Sequence, residues 1–272
     1  MLLGGQKQLS ILRKLKKISY SINASNQDIH QTIEKIVPFD YIISFGYRRM
    51  IDNYIIKKAK VAALGTHFSP LPRYRGFAPL NWVLINGEEE TAVNLFYLDE
   101  KVDSGDIIES KKVKINYNDD INSLYNKCII AFKEMMRETI PKLEDRSYKT
   151  VKQDESKATY TCARNPQDGL IDWNWDSRKI YNFVRALTYP FPGAYTYLNG
   201  NRMIIWSCKE YKIPKYDGVI PGKVIKIIEN EGIVVLCGKG AILIKDVELE
   251  GTNRVTADNI VKSVRITLNQ IN

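Results

Sequence analysis

Short apolar runs alternate with segments of helical periodicity in the first half of the chain. The run at residues 41–47 is continuous, apolar and contains a glycine near its end, as buried strands of parallel sheets do. From 121 to 136 the apolar residues recur at spacings of three and four, which predicts one long amphipathic helix. This alternation favours an α/β fold. Other predicted elements are the end of a strand at 1–5, strands at 18–24, 61–64, 91–98 and 107–113, and helices at 7–17, 27–37, 51–60 and 78–86.

The second half has a different pattern. A charged, irregular stretch at 144–157 is typical of a linker, and a helix is predicted at 178–187 with Asp176 or Ser177 as its N-cap. Several short β-segments separated by glycine-containing turns then favour a small barrel. These predicted strands are 194–198, 202–208, 222–228, 232–236 and 241–249.

Composition narrows the class of protein. The 272 residues are 44% hydrophobic and 26% charged, as in ordinary globular proteins. The four cysteines are scattered without a CxxC pair, so we expect no zinc site and a reducing compartment. No apolar run approaches the roughly 20 residues that a membrane span needs, and no secretory leader is evident. We therefore expect a cytoplasmic protein without a membrane partner.

The net charge of +9 has two interpretations. Solvated lysines on surface helices would explain it, and so would attraction of a polyanionic partner such as a nucleotide sugar, a polyglutamylated folate or tRNA. The sequence contains no basic stripe interleaved with aromatic residues, so it does not predict nucleic-acid binding.

The candidate chemistry lies in two loops. His67 stands in a rigid segment rich in proline, glycine and arginine, and an acidic turn containing Asp103 follows later in the chain. A histidine oriented by a carboxylate is suited to general acid–base catalysis. Arg73 and Arg75 could face an anionic substrate or brace the loop, and for Arg75 bracing is the favoured interpretation.

These motifs carry a family resemblance. Three motifs resemble those of the folate-dependent formyltransferases in their order and spacing. They are HFSPLPRYRG at 67–76, APLNW at 78–82 and VDSGDI at 102–107. That family includes methionyl-tRNA formyltransferase and the sugar-nucleotide N-formyltransferases, among them those that act on UDP-4-amino-4-deoxy-L-arabinose. The resemblance implies a Rossmann-like catalytic domain with a shortened N-terminal half, at 1–168, and a C-terminal OB-like β-barrel, at 169–272.

The resemblance also implies roles for particular residues. The catalytic histidine and aspartate of the family fall on His67 and Asp103, whereas the family asparagine falls on Gly65, so that Thr66 or a backbone N–H would replace it. The implied ligand-binding residues are Phe45, Gly46, Tyr47, Asp99 and Asp103 for the folate and Arg73, Arg75, Gly76 and Arg164 for the acceptor.

The implied reaction is transfer of a formyl group from 10-formyltetrahydrofolate to the amine of a nucleotide-linked amino sugar, without a metal. Two alternatives remain open. One is methionyl-tRNA formyltransferase, the only alternative in which nucleic acid is a partner, and the other is a catalytically weak relative that binds folate or a sugar nucleotide. The sequence itself does not indicate an oligomeric state; relatives that act on sugar nucleotides are often dimers, so the resemblance allows a homodimer.

Overall fold

The computed structural model describes residues 2–3, 20–21, 26–36, 39–47 and 50–269, and the chain forms two compact units. The first unit comprises the described residues of 1–79, 90–114 and 126–162. The second unit comprises 80–89, 115–125 and the described residues of 163–272. The helix predicted at 7–17 lies outside the described residues.

A twisted α/β sheet forms the framework of the first unit. Its strands lie in the order β2-β1-β3-β4-β6-β7, and the first four are mutually parallel, whereas the pairs β4–β6 and β6–β7 are antiparallel. The α/β class predicted from the apolar pattern is therefore confirmed. The strand bounds are β1 Leu2–Leu3, β2 Tyr20–Ser21, β3 Tyr41–Ser44, β4 Ala62–His67, β6 Glu90–Tyr97 and β7 Ile107–Lys114, and β5 Arg75–Gly76 pairs separately with β8 Tyr160–Thr161.

Four helices of the first half are present where they were predicted, at 27–37, 51–60, 78–86 and from 121; the second and third are shorter than predicted, and the fourth is longer. Asp52 caps α2 by accepting a hydrogen bond from Ile55 N. The long helix α4 continues through Pro141 to Glu144, and the side chains of its predicted apolar stripe, such as Phe132 and Met135, are buried. The bounds are α1 Asn26–Ile36, α2 Asn53–Lys58, α3 Pro79–Ile85 and α4 Ile121–Glu144. No helix in the described ranges combines the length and apolar character needed to cross a bilayer.

The prediction of a linker at 144–157 is wrong for residues 151–157, which are part of the first unit. Val151 exchanges two backbone hydrogen bonds of 2.8 Å with Ile107, at the start of β7. Gln153 is buried, and a 3₁₀ helix follows at Glu155–Lys157. The linker was predicted from the charged composition of this stretch. Most of its polar side chains are indeed exposed, but its backbone and Gln153 pack into the first unit.

The second unit contains two four-stranded antiparallel sheets, in the orders β16-β15-β10-β9 and β11-β14-β13-β12. Its helix α5 is capped by Asp176, which accepts from Lys179 N at 2.7 Å. The bounds are α5 Ser177–Leu187, β9 Ala194–Leu198, β10 Asn201–Ile205, β11 Cys208–Tyr211, β12 Val224–Ile228, β13 Gly232–Leu236, β14 Ala241–Ile244, β15 Asp246–Leu249, β16 Val255–Thr256 and α6 Ala257–Ile260.

Two of the strands predicted in this unit, 202–208 and 241–249, each divide in two. The chain leaves one sheet for the other between β10 and β11, and again between β14 and β15. The two crossing points lie side by side, with Trp206 N donating to Asp246 O and Lys245 N donating to Ser207 O. A small C-terminal β domain is thus confirmed, but its described strands form two sheets and not one closed barrel.

Candidate active site

His67 is the last residue of β4, where the strand delivers it into the proline-rich loop. Its side chain is buried, and Nε2 lies 2.7 Å from the carbonyl oxygen of Tyr74. Because a carbonyl only accepts, Nε2 carries a proton. Nδ1 lies 3.4 Å from Oδ2 of Asp103. Both ring nitrogens therefore face acceptor oxygens.

Asp103 lies in the turn between β6 and β7, with a left-handed backbone conformation at φ 51°. Its Oδ2 accepts a hydrogen bond of 2.8 Å from Gly76 N, so one carboxylate oxygen contacts both the histidine and the proline-rich loop. In the same turn Asp99 accepts bonds from Ser104 Oγ and Lys101 N. The structure thus brings His67 and Gly76 of the proline-rich loop together with Asp103 of the acidic turn.

Asn94 is a site residue that the sequence analysis missed. It lies directly opposite His67 in the β4–β6 ladder and is 1% exposed. Its Nδ2 donates to the backbone oxygens of His67 and Ser69 at 3.0 and 2.6 Å, and its Oδ1 accepts from Ser110 Oγ at 2.7 Å. These bonds fix the backbone that carries His67. The sequence feature that could have indicated this role is the amide side chain of Asn94 inside the otherwise apolar strand predicted at 91–98.

Position 65, where the family asparagine would stand, is closely packed. A Cβ added to Gly65 would lie 2.8 Å from the Phe96 ring and 2.8 Å from Leu98 Cδ2. A side chain here would first meet these apolar groups. The neighbouring Thr66 hydroxyl donates to Ser44 O at 3.0 Å, so the hydroxyl proton is already engaged. This placement weakens the expectation that Thr66 replaces the asparagine as a donor.

Arg75 is fully buried and braces the loop through side chains. Its Nε and Nη2 donate to Gln153 Oε1, and Nη1 and Nη2 donate to the two carboxylate oxygens of Glu155. The hydrogen bond to Glu155 raises the pKa of Arg75. Arg73, by contrast, is exposed, with its guanidinium 5.2 Å from the centre of the Tyr74 ring. The bracing interpretation favoured for Arg75 agrees with these contacts.

The predicted folate segment follows β3. The Phe45 ring is buried against Phe132 and Phe68, at centroid distances of 4.3 and 5.7 Å. Gly46 is exposed with φ 61°, a conformation that glycine adopts without strain, and Tyr47 is half-buried. The exposed backbone at Gly46 is therefore the part of this segment that a ligand could approach.

Arg164 belongs to the second unit. Its guanidinium lies over the rings of Trp82 and Phe183, at 5.1 and 5.3 Å from their centres, and Nη2 donates to Asp168 O. Burial lowers the pKa of this arginine. Among the described residues of both units, no group of three or more His, Cys, Asp or Glu side chains could hold a metal ion.

Comparison with known proteins identifies two family matches. A family model described as formyl transferase matches residues 8–140, and one described as formyl transferase, C-terminal domain, matches residues 164–265. The bifunctional polymyxin resistance protein ArnA of Wigglesworthia glossinidia brevipalpis is 34% identical over 264 residues, which are 96% of this chain and 38% of that protein. The chain thus spans well under half the length of this relative.

Two solved structures resemble the fold. HypX from Aquifex aeolicus, in complex with tetrahydrofolic acid, has a TM-score of 0.73 and 19% identity, over 97% of this chain and 47% of that one. The N-formyltransferase from Helicobacter canadensis, in complex with folinic acid and dTDP-3-aminofucose, has a TM-score of 0.67 and 19% identity, over 89% and 97%.

Proposed function

This chain belongs to the formyl transferase family, and we propose that it transfers a formyl group from 10-formyltetrahydrofolate to the amine of a nucleotide-linked amino sugar. The observation that carries the proposal is the contact between His67 and Asp103. Asn94 bonds the backbone of the loop that carries His67, and Gly76 N donates to the Asp103 carboxylate. Supporting context comes from the Helicobacter canadensis relative, whose crystal contains folinic acid and an amino-sugar nucleotide.

In the proposed reaction the acceptor amine attacks the formyl carbon, and a tetrahedral intermediate carries negative charge on the former carbonyl oxygen. A C–N bond to the acceptor forms, the bond between that carbon and N10 of the folate breaks, and one proton moves from the acceptor nitrogen to N10. We assign this proton transfer to His67 and Asp103. The 3.4 Å separation between Nδ1 and Oδ2 exceeds an ordinary hydrogen bond, and we expect it to shorten when both substrates are bound.

We propose that the folate occupies the site formed by the backbone after β3 and the turn containing Asp99 and Asp103. Gly46 allows close approach of a ligand, since it has no side chain and is exposed. Phe45 and Tyr47 would support this segment from beneath, through the aromatic and aliphatic residues that they contact.

For the acceptor, Arg73 is the arginine best suited to an anionic group, because it is exposed on the proline-rich loop. Arg75 would act indirectly, since the guanidinium is buried and bonded to Gln153 and Glu155. Gly76 and Arg164 remain proposed acceptor contacts. Gly76 has a positive φ of 98°, and a Cβ at this position would lie 2.9 Å from a backbone oxygen, so there is no room for a side chain.

A second candidate function has one specific observation in its favour. Gly65 provides no side-chain donor, and the Thr66 hydroxyl proton is engaged by Ser44 O. Loss of one oxyanion donor typically costs about a hundredfold or more in rate. A slow relative that binds folate and a sugar nucleotide would have the same fold.

The proposal also covers the domain organisation, the compartment, the pathway class and the oligomeric state. The catalytic domain would end at residue 168, with an OB-like arrangement of the two sheets at 169–272. The protein would act in the cytoplasm, on a precursor of a cell-surface lipopolysaccharide, as a homodimer.

A turnover screen tests the proposal. Purified protein is incubated with 10-formyltetrahydrofolate and, in separate arms, with UDP-4-amino-4-deoxy-L-arabinose, dTDP-3-aminofucose or initiator methionyl-tRNA. Mass-spectrometric detection of a formylated sugar nucleotide supports the proposal, and formylation of the tRNA alone overturns it. Thermal stabilisation by folinic acid and a sugar nucleotide without turnover would select the second candidate.

A further inference from the structure

Gln153 connects the segment after α4 to the turn that carries Asp103. Its side chain is 5% exposed, and its Nε2 donates to two backbone oxygens of that turn. The acceptors are Asp103 O at 2.9 Å and Gly105 O at 2.8 Å. One amide group therefore bonds the backbone on both sides of Ser104.

Arg75 fixes the orientation of this amide. Its Nη2 and Nε donate to Gln153 Oε1 at 2.9 and 3.2 Å, and a guanidinium cannot accept a hydrogen bond. The amide oxygen must therefore face Arg75, which directs the amide nitrogen to the turn. Glu155 in turn holds the guanidinium through two bonds of 2.6 and 3.0 Å.

The turn needs such support because its backbone is unusual. Asp103 has φ 51°, a region that residues other than glycine rarely adopt. Gly105 passes so close to the opposite strand that an added Cβ would lie 1.9 Å from Tyr97 O. The direction of the Asp103 carboxylate, and hence its contact with His67, depends on this local conformation.

We propose that Gln153 is a positioning residue, whose amide holds the Asp103 turn in the conformation that places the carboxylate against His67. The inference rests on the proposed function only for its effect on turnover. The positioning itself is a property of the folded protein and can be measured without any substrate.

Gln153→Glu is the informative variant. The side chain keeps its shape and its acceptor for Arg75, but an oxygen replaces the nitrogen that donates to Asp103 O and Gly105 O. Two backbone oxygens would then face a carboxylate, and the turn should rearrange. Gln153→Ala removes the side chain and serves as a second variant in case the first does not fold.

The experiment is nitrogen NMR of histidine-labelled protein at neutral pH. The chain has only two histidines, His30 and His67, so the ring signals can be assigned with one His30→Gln variant. Asp103→Asn provides the reference spectrum for a ring without its carboxylate. Thr139→Val is the matched structural control, because it removes a buried hydroxyl whose partner, Met135 O, lies within α4.

We expect the His67 signals of Gln153→Glu and Gln153→Ala to move toward those of Asp103→Asn, while the signals of His30 and of Thr139→Val match the wild type. In the active enzyme kcat should fall about a hundredfold with little change in KM, the size expected for a misplaced catalytic group. Wild-type His67 signals in both folded variants would overturn the proposal, as would Asp103→Asn signals that coincide with the wild type. A wild-type protein without formyl transfer would refute the proposed function but leave the NMR result to decide the positioning role.

Discussion

Oδ2 of Asp103 lies between two groups of the proline-rich loop, 3.4 Å from His67 Nδ1 and 2.8 Å from Gly76 N. The backbone N–H is a fixed donor, because Gly76 belongs to β5 and pairs with Thr161 of β8. The histidine therefore meets a carboxylate whose position is set by hydrogen bonds and not by the imidazole alone.

Replacing Asp103 by asparagine should impair the chemical step. The amide has nearly the shape of the carboxylate but carries no charge, so proton transfer through His67 loses its partner. We expect single-turnover formyl transfer to slow by about a hundredfold or more, a typical contribution of acid–base catalysis. Rapid-quench kinetics with saturating folate measure this rate. His30→Gln, which alters the other histidine, should retain the wild-type rate, and an Asp103→Asn enzyme as fast as this control would contradict the assignment.

Restoring the family asparagine at Gly65 should not create a better enzyme. The new Cβ would meet the buried Phe96 ring and Leu98, so we expect the free energy of unfolding to fall by about 1–3 kcal/mol, as for other overpacked cores. Urea denaturation measures the loss. Gly218→Asn is the control, because nothing lies within 4 Å of a Cβ at Gly218. A Gly65→Asn protein of unchanged stability and higher kcat would show that the core makes room and that a donor was missing.

The ion pair between Arg75 and Glu155 should make stability depend on acid pH. The hydrogen bond from Arg75 lowers the pKa of Glu155 below its ordinary value of 4.5. A carboxylate with a lowered folded-state pKa contributes stability that is complete above the unfolded pKa and is lost as the pH falls through the folded value. Urea midpoints of wild type and Glu155→Gln should therefore differ near neutrality and converge as the pH falls through the lowered pKa of Glu155.

The control for this experiment is Glu229→Gln, at an exposed glutamate of the second unit. It should change the urea midpoint little at any pH. A constant difference between wild type and Glu155→Gln over the whole acid range would contradict the pKa argument, since the pair would then contribute equally when Glu155 is protonated.

The four cysteines should react with alkylating agents at very different rates. Burial raises the pKa of the Cys237 thiol to about 12 and also raises the pKa of the Cys208 thiol, so neither forms much thiolate at neutral pH. Cys128 is buried within α4, whereas Cys162 is exposed. Peptide mapping after brief iodoacetamide treatment of the native protein should find Cys162 modified first. Early modification of the buried Cys237 would show that the second unit opens readily.

The main features of the fold follow from local patterns. The strand that begins at 41, the long helix from 121 and an N-cap at Asp176 or Ser177 follow from the sequence because apolar periodicity and capping residues act over short distances; the structure ends the strand at 44 and places the cap at Asp176. The change of sheet near Trp206 and Lys245 was not predicted. Each break falls inside a continuous run that is predicted as one extended strand, and only the pairing with distant strands shows that the run belongs to two sheets.

The candidate site was predictable in part, for a similar reason. His67 and Asp103 occur in motifs whose glycines and prolines stand out. Their proximity does not follow from strand pairing alone, because Tyr97 at the end of β6 pairs with Leu64, three residues before His67. Asn94 and Gln153 carry no such signal. Each acts through hydrogen bonds to backbone atoms far along the chain, and a polar side chain in a strand or in a charged stretch does not reveal its partners.

The hydrogen-bonded segment around Gln153 sets a limit on how the catalytic half could be produced as a separate fragment. A fragment that stops at the end of α4 would contain every motif shared with the formyltransferases up to that point, yet it would lack Val151, Gln153 and the strand β8 that pairs with β5. Expression boundaries for folate-binding or crystallisation work should therefore lie beyond Thr161.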